Sequence, residues 1–187
     1  IMSSDWSSDV CSSDLDETSG QYIREAAFNA REKWGTTLIM ASHDHQWLYS
    51  VCDTTLQLYD GKIFGNGTDT ILVGPWDPEE NGMCSKKLSE DQKIVVSAPP
   101  NPEAYGKLAQ KDLQFSQNGR LTDYENGLNG TVFHLVLQKG TPDIIATVYV
   151  ANRPFTLKLT PDQIKNHGIY PGRTLYLHFK ADAVNWL

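Results

Sequence analysis

The chain has 187 residues, of which 40% are hydrophobic and 21% are charged. No apolar run approaches the roughly 20 residues that a membrane helix needs, so the composition indicates a globular protein without a membrane span. The formal net charge of −7 disfavours a nucleic-acid partner, because such partners are held by clustered Lys and Arg.

The three cysteines, Cys11, Cys52 and Cys84, are odd in number and have no C-x-x-C spacing. This pattern predicts neither a disulfide framework nor a zinc site, and it favours a reducing, cytoplasmic location. The N-terminus also lacks the basic region and apolar core of a secretory signal.

The first fifteen residues, IMSSDWSSDVCSSDL, repeat the tripeptide Ser-Ser-Asp at Ser3, Ser7 and Ser12. No helical or strand period runs through them, which is typical of a disordered tail. The segment also resembles translated sequencing-adaptor sequence, and we favour this interpretation. We therefore expect residues 1–15 to be non-native or disordered, and the chain to be part of a longer protein.

Residues 16–67 alternate between helical and strand patterns. A helix is expected from about residue 21 to 34, followed by a stop at Gly35. The apolar run Thr36–Ala41 is typical of a strand that is buried on both faces. Asp44 is placed to cap a short helix, and residues 54–64 read as a hairpin turned at Asp60-Gly61. The order of elements predicts an α/β layer.

The rest of the chain divides into an exposed connection and a β-rich region. Residues 68–90 are rich in Pro and Gly and predict a linker. Residues 91–187 predict a small all-β barrel, with a helical turn at 103–108 and a short helix that Thr160 caps. Strands are expected at 93–98, 113–116, 131–137, 144–151, 155–159 and 174–180. We interpret His134, His167, His178, Trp76 and Trp186 as satisfied, solvated or packing residues.

Ser42-His43-Asp44, directly after the predicted strand 36–41, resembles the switch histidine of ATP-binding cassette ATPases. The following residues 52–63, CDTTLQLYDGKI, are similar to the next strand of that family. The resemblance implies that residues 16–67 are the C-terminal part of a P-loop NTPase cassette. It implies that His43 is the catalytic histidine that contacts the γ-phosphate, and that Asp16 ends the loop facing the partner subunit.

The sequence lacks the other parts of that catalytic machinery. No G-x-x-x-x-G-K-[ST] occurs, and the signature and Walker B segments would precede Asp16. Leu88–Gln92, LSEDQ, is only superficially like the signature, and we interpret it as a surface loop. The resemblance implies ATP and Mg²⁺ in the intact subunit and no cofactor for this chain, so its enzymatic status stays open. His43-Asp44-His45 is too incomplete to predict a metal site.

A second resemblance lies in the β-rich region. The segment Asn126–Val132, NGLNGTV, resembles the N-x-L-x-G-x-V opening of transport-associated oligomer-binding-type (TOBE) domains, which have an OB-like fold. Tyr170-Pro171-Gly172 and residues 179–184 are similar to the end of such domains. In molybdate-binding members, the positions matching residues 123–126 and 180–182 donate hydrogen bonds to the oxyanion.

The resemblance makes Lys180 and Asn126 the candidate ligand-binding residues. In this chain, however, Asp123, Glu125 and Asp182 place carboxylates where the family has donors. Carboxylates repel a divalent oxyanion, and a single lysine does not offset three of them. We therefore predict that no oxyanion binds at this position.

Together the resemblances imply a truncated ATP-binding subunit of an importer for tungstate- or molybdate-type oxyanions. They imply as partners a second ATP-binding subunit and the membrane permease subunits, with a cytoplasmic location at the inner face of the membrane. The alternative is a non-enzymatic β-barrel module that binds a small ligand or partner and has an α/β scaffold. The sequence does not specify the transported species.

Overall fold

The computed structural model describes residues 17–59, 61–119 and 121–187. This part of the chain is mostly β, with thirteen strands and three α-helices. The described chain divides into two compact units between Leu48 and Tyr49, and we call the second, residues 49–187, the β unit. The predicted tail 1–15 and Asp16 lie outside the described residues.

Two helices occur near the start of the described chain. Helix α1, Glu17–Trp34, begins a few residues earlier than expected and ends at Gly35, whose φ of 61° is the left-handed conformation common at helix ends. Helix α2 is His45–Val51. Its first turn is capped by Asp44, whose Oδ1 accepts a hydrogen bond from the N–H of Trp47 at 3.0 Å. The expected stop and cap are both confirmed.

The segment Thr36–Ala41 differs from its prediction as a buried strand. It has no regular secondary structure, and the side chain of Ile39 is 97% exposed. A strand forms only where neighbouring strands pair with its backbone, and the described residues contain no strand before Leu56. The α/β layer expected for residues 16–67 is therefore not seen in the described part of the chain.

The hairpin predicted for residues 54–64 is present. Strand β1, Leu56–Tyr59, pairs antiparallel with β2, Lys62–Asn66. Gly61 has a φ of 72°, a conformation that the tight turn requires and that glycine adopts without a steric penalty. This two-stranded sheet belongs to the β unit.

Residues 68–90 contain strands, although the sequence predicted a linker. The strands are β3, Thr70–Val73, β4, Asp77–Pro78, and β5, Met83–Lys87. Strand β5 pairs with β4 and with β6, Lys93–Ser97, and β3 pairs with β7, Tyr105–Leu108. The helical turn expected at residues 103–108 is therefore wrong. The pairing of β3 with β7 depends on residues more than thirty positions apart, whereas Pro and Gly punctuation is local.

A five-stranded antiparallel sheet forms the centre of the β unit. Its order is β11-β10-β9-β12-β8, and all five strands were expected from the sequence. The long strand β9 pairs with β12 through its first half and with β10 through its second half. The bounds are β8, Gln114–Ser116, β9, Asn126–Leu137, β10, Ile144–Val150, β11, Arg153–Leu159, and β12, Thr174–Phe179.

Two smaller sheets and a helix complete this unit. The last strand, β13, Val184–Trp186, pairs with β7, which also pairs with β3. The other small sheet has the order β4-β5-β6. Helix α3, Pro161–His167, begins with the predicted cap, because Thr160 Oγ1 accepts a hydrogen bond from the N–H of Gln163 at 3.2 Å.

Alternating burial along β9 explains the sequence motif that opens it. Asn126, Leu128, Gly130 and Val132 are all buried, and Asn129 between them is exposed. Successive side chains of a strand point to opposite faces, so the four motif residues share the core-facing side. The core behind them includes apolar side chains that are nearly or fully buried: Val148, Val150, Phe155, Leu157, Leu175, Leu177 and Phe179.

Trp76 and Trp186 join the sheet of β3, β7 and β13 to this core, as expected for packing residues. Trp76 is buried, and its Nε1 donates a hydrogen bond to the carbonyl of Ala104 at 2.9 Å. Trp186 lies edge-on to Trp76, with ring centroids 5.4 Å apart. Such edge-to-face pairs stabilise a fold beyond the area they bury.

Candidate functional site

His43 lies at the start of α2 and is exposed to solvent. Its carbonyl accepts a hydrogen bond from the N–H of His45 at 3.1 Å, and the adjacent Asp44 N–H donates to Ser42 Oγ at 3.0 Å. The tripeptide therefore forms the start of a helix. The sequence has no phosphate-binding loop to accompany the histidine, so the residues present do not fit ATP as a ligand of this chain alone.

The described ranges contain no group of three or more His, Cys, Asp or Glu side chains arranged to hold a metal ion. No described helix is long and apolar enough to cross a membrane.

Asn126, one of the two candidate ligand-binding residues, is 1% exposed and is bonded to the backbone of neighbouring strands. Its Oδ1 accepts a hydrogen bond from the N–H of Val95 at 2.7 Å. Its Nδ2 donates to the carbonyls of Val95 at 2.8 Å and of Phe179 at 3.3 Å. The side chain thus joins β6, β9 and β12, and both ends of its amide already have protein partners.

The two sequence segments that the TOBE resemblance singled out meet in the structure. Phe179 on β12 is paired with Asn126 on β9, so residues 123–126 and 180–182 continue from neighbouring strands. Across this gap, Glu125 Oε2 accepts a hydrogen bond from the N–H of Ala181 at 3.1 Å. The backbone N–H of Ala181 is therefore already hydrogen-bonded to the carboxylate of Glu125.

The charge state of Glu125 follows from these contacts. Hydrogen bonds from its own N–H and from the N–H of Ala181 lower the pKa of Glu125 below its usual value, and the positive charge of Lys180 adds to the effect. The carboxylate is consequently ionised at neutral pH. An oxyanion approaching Ala181 would meet a negative charge already bound there.

Lys180 lines a shallow cavity of about 490 Å³ next to this point. Its charged lining consists of two lysines, Lys111 and Lys180, and two carboxylates, Asp112 and Asp182, and Tyr124 also contributes. The two signs balance, so the cavity has no net positive charge to attract an oxyanion.

A larger cavity of about 710 Å³ adjoins the first one in the β unit, and Lys111, Asp112 and Asn185 line both. We call it the polar cavity, because its lining consists largely of charged, hydroxyl and amide side chains. Its charged residues are three lysines and three aspartates: Lys107, Lys111, Lys158, Asp53, Asp69 and Asp112. The residues that line it are scattered along the chain between Asp53 and Asn185. No local motif predicts such a distributed lining, so the sequence did not indicate this cavity.

Hydrogen bonds fix one wall of the polar cavity. The buried hydroxyl of Tyr49 donates to the carbonyl of Gly67 at 2.5 Å, and burial raises the pKa of Tyr49. Gln57 Nε2 donates to the same carbonyl at 3.1 Å and to the carbonyl of Asp69 at 2.8 Å. The loop at residues 67–69 is therefore held in place by side chains from two separate segments.

His178 has a structural position on β12, as expected. It is fully buried, and its Nε2 lies 2.8 Å from Ser116 Oγ. The Ser116 hydroxyl donates its only hydrogen to the carbonyl of Gly119 at 2.7 Å. Nε2 of His178 must therefore carry the proton and donate to Ser116.

No protein-family model and no curated protein matches the chain. Among solved structures, the chain is similar to the cytoplasmic molybdate-binding protein ModG, whose structure was determined with molybdate bound. The two share 14% sequence identity with a TM-score of 0.48, over 66% of this chain and 96% of that protein.

Proposed function

We propose that the chain is the C-terminal part of an ATP-binding subunit of an importer for tungstate- or molybdate-type oxyanions. In this proposal the β unit is a non-catalytic regulatory or contact module that binds no oxyanion at Glu125 and Ala181. The importer role rests on the sequence resemblance at residues 42–63 and on the β9 motif. The accessory role rests on the structure.

The hydrogen bond between Glu125 and Ala181 supports the proposal that no oxyanion binds at this position. An oxyanion held here would need backbone and side-chain donors. One such donor, the Ala181 N–H, is already bonded to an ionised carboxylate. The nearby Asp182 adds a further negative charge. The repulsion of a dianion by these carboxylates would therefore exceed its attraction to Lys180.

Isothermal titration of molybdate and tungstate into the full chain tests this role. We expect no saturable heat with the unmodified protein. Glu125→Ala should make oxyanion binding detectable, because it frees the Ala181 N–H and removes one charge. Asp162→Ala is the matched control, since it removes an exposed carboxylate on α3. Tight saturable binding by the unmodified protein would contradict the proposal.

In the intact subunit, His43 would contact the γ-phosphate and Asp16 would face a second ATP-binding subunit. ATP and Mg²⁺ would be bound mainly by residues that this chain does not contain. The permease subunits would hold the assembly at the cytoplasmic face of the membrane.

The coding sequence upstream of Asp16 tests the importer role. We expect an in-frame phosphate-binding loop and signature sequence, because His43 needs both to assist hydrolysis. A genuine start codon at Met2, with neither motif upstream, would instead favour a non-enzymatic ligand-binding module. One observation already favours that second candidate, namely the polar cavity of the β unit.

A further inference from the structure

We propose that the polar cavity binds a small zwitterion of the amino-acid class, with one ammonium and one carboxylate group. This site is separate from the Glu125 position and does not depend on the importer role.

The composition of the lining selects this class of ligand. Three lysines and three aspartates balance in charge, and among the described lining residues there is no aromatic or large aliphatic side chain. Ligand cavities are ordinarily lined mainly by apolar groups, so this lining favours a polar molecule. A dianion would be repelled by the aspartates, and a divalent cation by the lysines.

Several of these charges already have protein partners. Lys158 Nζ lies 2.8 Å from the carboxylate of Asp143, and the carboxylate of Asp53 lies 3.9 Å from Lys139 Nζ. By contrast, neither Lys107 nor Lys111 has an ion pair within 4 Å among the described residues. These two ammonium groups are available to bind the carboxylate of a ligand.

Asp69 and Lys107 bring opposite charges to the wall of the polar cavity. Asp69 Oδ1 accepts a hydrogen bond from the N–H of Gln110 at 3.3 Å. The carboxylate of Asp69 and the ammonium group of Lys107 make no direct ion pair within 4 Å in the described structure. A zwitterion can satisfy both, with its ammonium group towards Asp69 and its carboxylate towards Lys107.

Gln138 adds an uncharged amide to the wall of the polar cavity. Its Oε1 atom accepts no hydrogen bond from any residue that the structure describes.

Calorimetric titration of the full chain with L-serine and L-glutamine tests the proposal. N-acetyl-L-serine, which lacks the ammonium group, and L-serinamide, which lacks the carboxylate, are the matched controls. We expect at least one zwitterion to bind, and its blocked forms to bind at least about tenfold more weakly, which is about 1.4 kcal/mol. No binding by either amino acid, or equal binding by the blocked forms, would overturn the proposal.

Two substitutions locate the site. Lys107→Met and Gln138→Met each keep a long, flexible side chain while removing one polar partner, and each should weaken binding about tenfold or more. Lys165→Met is the control, because Lys165 is exposed on α3 and lines neither cavity. Unfolding midpoints within about 2 °C of the unmodified protein would show that the variants fold. Unchanged affinity in both folded cavity variants would refute the assignment.

Discussion

Replacing Asn126 by alanine should lower the free energy of unfolding by about 3 kcal/mol. The amide of Asn126 satisfies both the N–H and the C=O of Val95, and it also donates to the carbonyl of Phe179. Alanine would leave these buried backbone groups without their partner and would leave a small void. Urea unfolding followed by tryptophan fluorescence measures the change.

Asn129→Ala is the matched control for this substitution. Asn129 lies three residues further along β9, but its side chain is exposed. Its replacement should change stability by no more than about 0.5 kcal/mol. If the two variants were equally stable, Asn126 would not be joining the strands as described.

Gly130→Val should be at least as damaging, with a loss of about 3 kcal/mol or failure to fold. A Cβ at Gly130 would stand 2.6 Å from Val148 Cγ1, 2.9 Å from Val150 Cγ2 and 3.0 Å from the carbonyl oxygen of Tyr149. Because the carbonyl is backbone, β9 and β10 would have to separate to admit the side chain. Thermal unfolding by circular dichroism measures the effect.

The adjacent substitution Thr131→Val introduces the same side chain on the exposed face of β9. It keeps the shape of threonine and should leave the unfolding midpoint within about 3 °C of the unmodified protein. A Gly130→Val protein that unfolded at the same temperature as Thr131→Val would show that the strands are not packed this closely.

Local sequence signals predicted the elements that have local causes. The caps at Asp44 and Thr160, the stop at Gly35 and the hairpin at Gly61 were all identified in advance. Each depends on residues within a few positions of one another. The five strands of the central sheet were also predicted, because their alternating patterns are strong.

Elements that depend on distant partners were misjudged. Strand β3 pairs with β7, more than thirty residues later, and nothing in its own four residues specifies that partner. Conversely, Thr36–Ala41 has the composition of a strand, but the described residues provide it with no neighbour. Strand propensity depends on the packing context.

The sequence predicted some residues of the candidate site and missed others, for the same reason. The resemblance selected residues 123–126 and 180–182, and the register of β9 and β12 places them together. The sequence alone could not predict the hydrogen bond between Glu125 and the N–H of Ala181, because Asp123 and Asp182 offered alternative carboxylates. The polar cavity draws on residues from Asp53 to Asn185, and no pattern of spacing relates them.

The sheet formed by β3, β7 and β13 has a consequence for synthesis on the ribosome. Strand β3 is made more than a hundred residues before β13, which pairs with the opposite edge of β7. The contact between Trp76 and Trp186 therefore cannot form until β13 has left the exit tunnel. Nascent chains stalled before β13 emerges should remain sensitive to protease around β3 and β7.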